Sequence, residues 1–177
     1  MTPRLQHASG ADIDAVASLA ARTFPLACPP ELDAPAIEAF IAENLTPEAL
    51  RAHLDTPGHE LLVASGTGGE AVGYVLLVAG TEMDPDCAAQ IVHHPTIGIS
   101  KFYVDPAHHG AGLAAVMLDD VSRRSRAGGA RSVWLATNLA NTRARRFYGK
   151  HGFLERGQRT FDVGGVLNTD VVYELPL

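Results

Sequence analysis

Hydrophobic residues recur along this chain with two different spacings, and segments of the two kinds alternate along the sequence. Short runs rich in valine, isoleucine and leucine predict β-strands, because such runs suit a pleated and partly buried surface. Apolar residues three or four positions apart predict amphipathic helices, because that spacing places them on one face. The alternation of the two patterns predicts an α/β protein.

The first half of the chain predicts one strand, three helices and a β-hairpin. Residues 4–9 form the strand, and the helix after it is expected to end where three prolines fall within residues 23–32. Two further helices follow, the second of which begins at Thr46. Two valine-rich runs, 60–65 and 71–80, flank a glycine-rich turn and predict an antiparallel hairpin.

The second half predicts a long loop followed by a regular series of elements. Residues 80–96 show no sustained period and contain several polar residues and prolines, which predicts a loop with room for one helical turn. The elements after it are a strand (96–104), a helix closed by Gly128-Gly129, a buried strand (131–138), a short helix (141–153) and a terminal hairpin (159–165 and 168–175).

Composition narrows the class of protein. With 177 residues, 46% of them hydrophobic, the chain is expected to form a single domain over residues 1–177. Its net charge of −6 argues against nonspecific nucleic-acid binding, and no apolar run approaches the roughly 20 residues that cross a bilayer. Cys28 and Cys87 are read as free thiols, which predicts a cytoplasmic protein.

The most informative segment, residues 102–118, passes from strand to helix through Gly110 and Gly112. Glycine permits turn torsions and a close backbone approach that a Cβ would prevent. The first amides of a helix lack internal acceptors and together carry roughly half a positive charge, so they attract phosphate groups. The segment predicts a diphosphate-binding turn, and a plain strand-to-helix corner is the alternative.

Two nucleotide-binding patterns fit this turn less well. A P-loop needs lysine and then serine or threonine after the second glycine, and Leu113-Ala114 stand there instead. The two glycines and Ala115 satisfy a dinucleotide fingerprint, but the acidic residue expected about 20 positions later is absent from residues 131–138. A nicotinamide-dependent oxidoreductase therefore fits the sequence only in part.

A second motif follows one helix and one strand later, with Asn141, Ala144, Phe147-Tyr148 and Gly152-Phe153 in order. Together with Val104-x-Pro106 and the glycine turn, it resembles the GCN5-related N-acetyltransferase (GNAT) superfamily, whose pattern is V-x-P, (R/Q)-x-x-G-x-(G/A), N-x-x-A-x-x-F-Y and G-F. The resemblance implies a central mixed sheet of about seven strands flanked by about four helices, with a splay where acetyl-CoA enters. It implies transfer of an acetyl group from acetyl-CoA to a primary amine.

By the same resemblance, acetyl-CoA binds in three places. The main chain before Pro106 pairs with the pantetheine arm, the glycine turn binds the diphosphate, and Asn141 hydrogen-bonds the pantetheine. His109 stands where arginine or glutamine is usual, so the backbone is expected to carry more of the phosphate contact. The assigned residues are Phe102, Tyr103, Val104, His109, Gly110, Ala111, Gly112, Leu113, Ala114, Asn141 and Ala144.

Tyr148 falls on the position of the family's general acid. Amine attack on a thioester forms an oxyanion and expels a thiolate, so the site needs a proton donor near the sulfur. A phenol with a pKa near 10 stays protonated at neutral pH and can fill this role. The alternative for Tyr148 is a core aromatic residue beside Phe147.

The general base is harder to assign. Many members of the family place a glutamate where this chain has Gly98. His93, His94 or Glu82 from the long loop are candidate replacements, and the amine can also arrive already neutral.

The acceptor is predicted to be a small-molecule amine or a peptide N-terminus. The proline-rich loop after the first helix borders the acceptor pocket in this fold, which assigns Phe24 and Leu26 to acceptor binding together with His93 and His94. No metal is expected, because adjacent histidines in or beside a strand point to opposite faces. The terminal hairpin leaves a sheet edge through which a homodimer can form. A non-catalytic acyl-CoA-binding sensor or regulatory module is the alternative function, on the strength of Gly98 and His109.

Overall fold

The computed structural model describes residues 4–177, and a seven-stranded sheet forms its centre. The strands are β1 (Leu5–His7), β2 (His59–Ser65), β3 (Ala71–Ala79), β4 (Thr96–Val104), β5 (Ser132–Asn138), β6 (Leu154–Val163) and β7 (Val166–Pro176). Their order across the sheet is β1-β2-β3-β4-β5-β7-β6. Only β4 and β5 are parallel neighbours, so the prediction of a mixed sheet of about seven strands is confirmed.

Five α-helices cover the two faces of the sheet, one more than the four or so expected. They are α1 (Ile13–Ala27), α2 (Ala34–Asn44), α3 (Pro47–Asp55), α4 (Leu113–Ala127) and α5 (Thr142–Lys150). Apolar residues of α1, α2 and α3 pack on one face of the sheet, the α1–α3 face, and form one core there. Apolar residues of α4 and α5 pack on the opposite face, the α4–α5 face, and form a second core. None of the helices within residues 4–177 is both long and apolar enough to span a bilayer.

Three helices begin at side chains that the sequence places there for a physical reason. Asp33, Thr46 and Asn141 each accept a hydrogen bond from the backbone N–H three residues later, at 3.0, 3.2 and 3.1 Å. These bonds satisfy amides that have no acceptor inside the helix, which is why such residues favour helix starts. The start predicted for α5 at Asn141 is confirmed.

Two boundaries differ from the sequence-based expectation. Helix α1 continues through Pro25 to Ala27 instead of ending at the first proline. A proline in the last turn removes only one helical hydrogen bond, and Phe24 beside it is anchored by stacking on Phe40 with ring centroids 4.5 Å apart. Strand β1 covers only Leu5–His7 of the predicted residues 4–9.

The long loop after β3 contains one short 3-10 helix, Pro85–Gln90, in agreement with the single helical turn that the sequence allows. Side chains fasten this loop to the terminal hairpin. Arg159 donates to Asp84 at 2.9 Å, and Gln90 donates to the carbonyl of Gln158 at 3.1 Å. The loop is therefore held against the sheet.

The parallel pair β4–β5 separates soon after it begins. Only Thr96–Gly98 pair with Ser132–Trp134, and the strands diverge beyond that point. The register between β3 and β4 shifts at Ser100, which has no partner on β3. A β-bulge of this kind bends its strand, so β4 turns away from β5 and the predicted splay opens between them.

Candidate active site

The glycine turn lies at the open end of the splay, directly after β4. Gly110 and Gly112 have φ of +82° and +78°, a conformation that strains other residues, and nothing lies within 4 Å of a Cβ placed at either. Helix α4 makes its first backbone bond from Val116 to Gly112. In the described part of the chain, the amides of Gly110, Gly112 and Leu113 have no backbone acceptor. These unpaired donors form the geometry expected of a diphosphate site.

His109 is exposed on this turn, and one nitrogen of its ring bonds back to the end of β4. Its Nε2 lies 3.0 Å from the carbonyl oxygen of Val104, and because a carbonyl only accepts, Nε2 carries the proton. In the neutral ring the other nitrogen is then an acceptor and cannot donate to a phosphate. This geometry favours phosphate contact through backbone amides, the expectation drawn from histidine at this position.

Beyond Gly98, strand β4 presents its side chains to both faces of the sheet. The ring of Phe102 lies 6.2 Å from that of Phe147 on the α4–α5 face. Tyr103 stacks on Tyr74 with centroids 5.5 Å apart on the α1–α3 face. The main chain of residues 102–104 has no partner on the β5 side, so an extended ligand has room to pair with it.

Asn141 lies at the start of α5, just after the end of β5. Its side-chain oxygen accepts from the backbone N–H of Ala144, and its own N–H donates to the carbonyl of Asn138 at 2.9 Å. The side-chain oxygen is therefore used for capping. The NH₂ group of the same amide is the donor that remains for a pantetheine carbonyl.

Tyr148 is largely buried on the α4–α5 face, with 7% of its surface exposed. Its ring lies 5.3 Å from Phe147 and from Phe153, and 6.4 Å from Phe102. Burial, and to a lesser extent the nearby Tyr103 hydroxyl, raise the pKa of Tyr148 well above its usual range. The hydroxyl has no hydrogen-bond partner within residues 4–177, so it stays protonated and free to donate. Packing alone also explains the buried ring, and the role as general acid stays a prediction.

A cavity of about 440 Å³ opens on the α1–α3 face, where β4 and β5 have separated. Its walls come from α1, the end of α2, the two diverging strands and the terminal hairpin. Phe24, one of the residues assigned to acceptor binding from the sequence, lines this cavity. Leu26 is 63% exposed and does not line it, because α1 continues past Pro25 and turns this side chain outward.

His93 and His94 also lie outside this cavity, near the beginning of β4 and β5. The backbone N–H of His93 donates to Glu174 at 2.8 Å, and Nε2 of His94 lies 3.2 Å from the carbonyl of Ile91. Glu82 is exposed and is not among the lining residues either. The structure therefore brings none of the three candidate bases to the cavity.

At Gly98, the position where the family resemblance leads one to expect glutamate, the space for a side chain is filled. A Cβ at Gly98 would lie 2.9 Å from Met83 Cε and 3.1 Å from Trp134 Nε1. The indole of Trp134 is itself fixed, because its N–H donates to the carbonyl of Gly80 at 2.9 Å. An indole and a thioether therefore occupy the space that a side chain at this position would need.

We expect Gly98→Glu to destabilise the protein by about 1–3 kcal/mol, the usual cost of overpacking a well-filled region. Urea unfolding followed by circular dichroism measures the change. The double variant Gly98→Glu/Met83→Ala is expected to recover part of the loss, because it empties the space that the glutamate needs. A Gly98→Glu protein as stable as the wild type would show that this space is not closed.

Several cavity residues were not predicted from the sequence: Lys101, Thr137, Asn138, Arg159 and Asp170. Arg159 donates to Asp170 at 3.2 Å and to Asp84 at 2.9 Å, so this cation is neutralised by the protein itself. Lys101 offered a sequence signal, since it is the one charged residue within strand β4. The partners of Arg159 could not be found without the strand register.

Within residues 4–177, no three His, Cys, Asp or Glu side chains converge as metal ligands would. Two of the histidines beside β4 have partners in different parts of the fold. Nε2 of His109 lies near the carbonyl oxygen of Val104, and Nδ1 of His93 lies 3.4 Å from Oε1 of Glu174.

Comparison with known proteins gives the family. The sequence model of the Acetyltransferase (GNAT) family matches residues 14–153. Uncharacterized N-acetyltransferases of Mycobacterium bovis and Mycobacterium tuberculosis are 38% identical over 161 residues, which cover 91% of this chain and 95% of theirs. Among solved structures, the PaiA N-acetyltransferase of Thermoplasma acidophilum in complex with coenzyme A has a TM-score of 0.77 at 16% identity and full coverage of both chains. A GCN5-related N-acetyltransferase of Rhodopseudomonas palustris has a TM-score of 0.76 at 19% identity, covering 100% of this chain and 97% of its own.

The two structural neighbours support the fold, and the family match and the mycobacterial relatives support the class of reaction. With its splayed β4–β5 pair and the open amides that begin α4, this chain is an acyltransferase that uses acetyl-CoA, and it belongs to the Acetyltransferase (GNAT) family.

Proposed function

We propose that this protein transfers the acetyl group of acetyl-CoA directly to a primary amine bound in the cavity, with Tyr148 as the general acid. The observation that carries the proposal is spatial. The free amides of the glycine turn, the unpaired edge of β4 and the cavity follow one another along the splay. A cofactor that extends along this path brings its thioester to the gap beside Ile99 and Ser100, where the cavity begins.

Direct transfer is favoured over an acyl-cysteine intermediate. Cys28 lines the cavity, but burial raises its pKa to about 11. Burial also raises the pKa of Cys87, likewise to about 11. A thiol must ionise to act as a nucleophile, so both cysteines are poor nucleophiles at neutral pH.

The roles of the chain's own residues follow from the charge changes in the reaction. The acetyl-CoA thioester supplies an activated acyl group that an amine can attack. Unpaired amides of β4 at the splay can donate to the carbonyl oxygen as it gains negative charge. As the carbon–sulfur bond breaks, the protonated hydroxyl of Tyr148 donates to the departing sulfur, and the proton that the attacking nitrogen loses restores the phenol. Since none of the three candidate bases lines the cavity, we infer that the amine enters in its neutral form.

The acyl-CoA-binding sensor remains the second candidate, because Gly98 and His109 are departures from the family pattern. Release of free CoA thiol in the presence of an amine panel separates the two. The enzyme is expected to release thiol only when both acetyl-CoA and a suitable amine are present, and the two raised cysteine pKa values keep the background low. Tight coenzyme binding without thiol release across the panel would favour the sensor.

A further inference from the structure

The cavity contains one cation that the protein leaves without a counter-ion. Lys101 lines the cavity from β4, and in the described part of the chain no carboxylate oxygen lies within 4 Å of its ammonium group. No hydrogen bond to that group occurs there either. The other lining cation, Arg159, has both Asp84 and Asp170 as partners.

The surroundings of Lys101 make this lack of a partner unfavourable. It lies opposite Leu76 in the β3–β4 register, next to the core that α1, α2 and α3 form. Burial lowers its pKa. An ammonium group taken out of water loses hydration, and only an anion or a set of acceptors restores that loss.

The titratable groups that face Lys101 do not supply the missing charge. On α3, burial lowers the pKa of His53 to about 4, with Lys101 and His59 adding to the effect, so His53 is uncharged at neutral pH. Directly after α1, Cys28 is a protonated thiol. On α2, Glu43 is exposed at the cavity wall.

The acids of the terminal hairpin are already engaged. Asp162 accepts the backbone N–H of Gly165 at 2.8 Å, and Asp170 accepts from Arg159. The cavity therefore holds a partly buried positive charge without an ion-pair partner in the described part of the chain, and the exposed Glu43, more than 4 Å from it, is the one lining acid with no bond of its own there.

We propose that Lys101 binds a carboxylate of the acceptor, so that the substrate class is an amine that also carries a carboxylate group, such as an amino acid. The inference rests on the proposed function, since it places the acceptor in the same cavity. An ion pair formed in an enclosed site is stronger than one in open water, because the dielectric screening is weaker there. A polyamine would instead bring a second positive charge toward Lys101, so this chain is expected to discriminate against polyamines.

Matched pairs of acceptors test the proposal. We would measure kcat/KM for several amino acids and for their primary carboxamides, which keep the amine and the side chain but lack the negative charge. The wild type is expected to prefer the acid over the amide by roughly 10- to 100-fold, the value of one charged hydrogen-bonded pair. Lys101→Met, which keeps the length of the side chain without its charge, is expected to remove that preference.

The decisive quantity is the acid-over-amide preference of the wild type divided by that of Lys101→Met. The amines of acid and amide have different pKa values, but that difference affects both proteins equally and cancels in the ratio. Lys150→Met on the exposed end of α5 is the matched control and should keep the wild-type preference. Equal use of acid and amide by the wild type would overturn the proposal. An equal loss on both substrates in Lys101→Met would also overturn it, since that is the result expected of a general base.

A binding measurement keeps the proposal testable even if no amine is turned over. Binding of the N-acetylated amino acid and of its amide can be followed by calorimetry in the presence of coenzyme A. Tighter binding of the acid that is lost in Lys101→Met would support the carboxylate site while the catalytic proposal failed. No difference between acid and amide would sink the carboxylate site whatever the turnover result.

The stability of the free protein provides an independent readout. Folding lowers the pKa of Lys101 below its ordinary value of 10.5, so the charged side chain lowers the stability of the folded protein. This loss of stability is largest at pH values below the pKa of the folded state. It decreases as the pH rises through that pKa and is absent above the pKa of the unfolded state. Lys101→Met is therefore expected to melt at a higher temperature than the wild type at neutral pH, with a gap that narrows toward about pH 10–11. A lower melting temperature at neutral pH would show that Lys101 already has a partner in the free protein.

Discussion

Replacement of Tyr148 by phenylalanine is expected to lower kcat by about 10²- to 10⁴-fold, the range that a positioned general acid contributes. The phenol is buried beside the splay, and its raised pKa keeps the proton available for the departing thiolate. Stability should change little, because the hydroxyl has no hydrogen-bond partner within residues 4–177. Steady-state thiol release at saturating acetyl-CoA measures the effect.

Tyr173→Phe provides the matched control. The Tyr173 ring lies 6.3 Å from that of Tyr148, but its hydroxyl is bonded to Glu155 and Arg145, at 2.9 and 3.1 Å. Its loss should leave kcat near the wild-type value. If Tyr148→Phe keeps more than about a tenth of the wild-type kcat, another group protonates the sulfur, because a general acid should contribute more than that.

A second large effect is expected at the glycine turn, where Gly112→Asp should raise the Kd of coenzyme A by roughly 100-fold or more, about 2.7 kcal/mol. An aspartate at the start of α4 can accept the amides that the diphosphate would use, and its charge repels phosphate. Aspartate also tolerates the left-handed conformation better than most residues, so the fold should survive. Isothermal titration with coenzyme A gives the Kd.

Gly129→Asp controls for the backbone effect of this change. Gly129 follows the other end of α4 and has φ of +86°, and, as at Gly112, a Cβ added there would have nothing within 4 Å. The two substitutions therefore impose similar strain and add the same charge, but only one lies at the proposed diphosphate site. Equal losses of affinity in both variants would contradict the assignment of the turn.

The part of the site around α4 and α5 could be predicted because its determinants are local. The strand ending at Val104, the two glycines and the helix after them occupy one short segment, and each is fixed by its own residues. The Asn141 cap involves only the amide three residues later. Local signals of this kind need no knowledge of the strand pairing.

The cavity could not be predicted, because its walls come from residues far apart in the sequence. Arg159 and Asp170 meet only because β6 and β7 pair in one particular register, and Asp84 reaches them from the long loop. His93 and His94 precede β4 closely in the sequence, which favours a role in acceptor binding. In the structure, the loop lies so that the backbone N–H of His93 donates to Glu174. The sequence contains no sign of that buried partner.

Departures from the family pattern are visible in the sequence, but their causes are not. Gly98 shows that the usual carboxylate is absent, and only the structure shows Met83 and Trp134 in its place. His109 suggests a weaker phosphate contact, and only the structure shows its ring bonded to Val104. At both positions the structure adds the neighbours, which are brought into contact by the fold and are not visible in the sequence.

The position of coenzyme A in a crystal of the complex tests the central claim most directly. We expect diphosphate oxygens within about 3 Å of the amides of Gly110, Gly112 and Leu113, with the pantetheine arm extended along β4 toward the cavity. Coenzyme A bound away from this turn, or no affinity for it at all, would contradict the account.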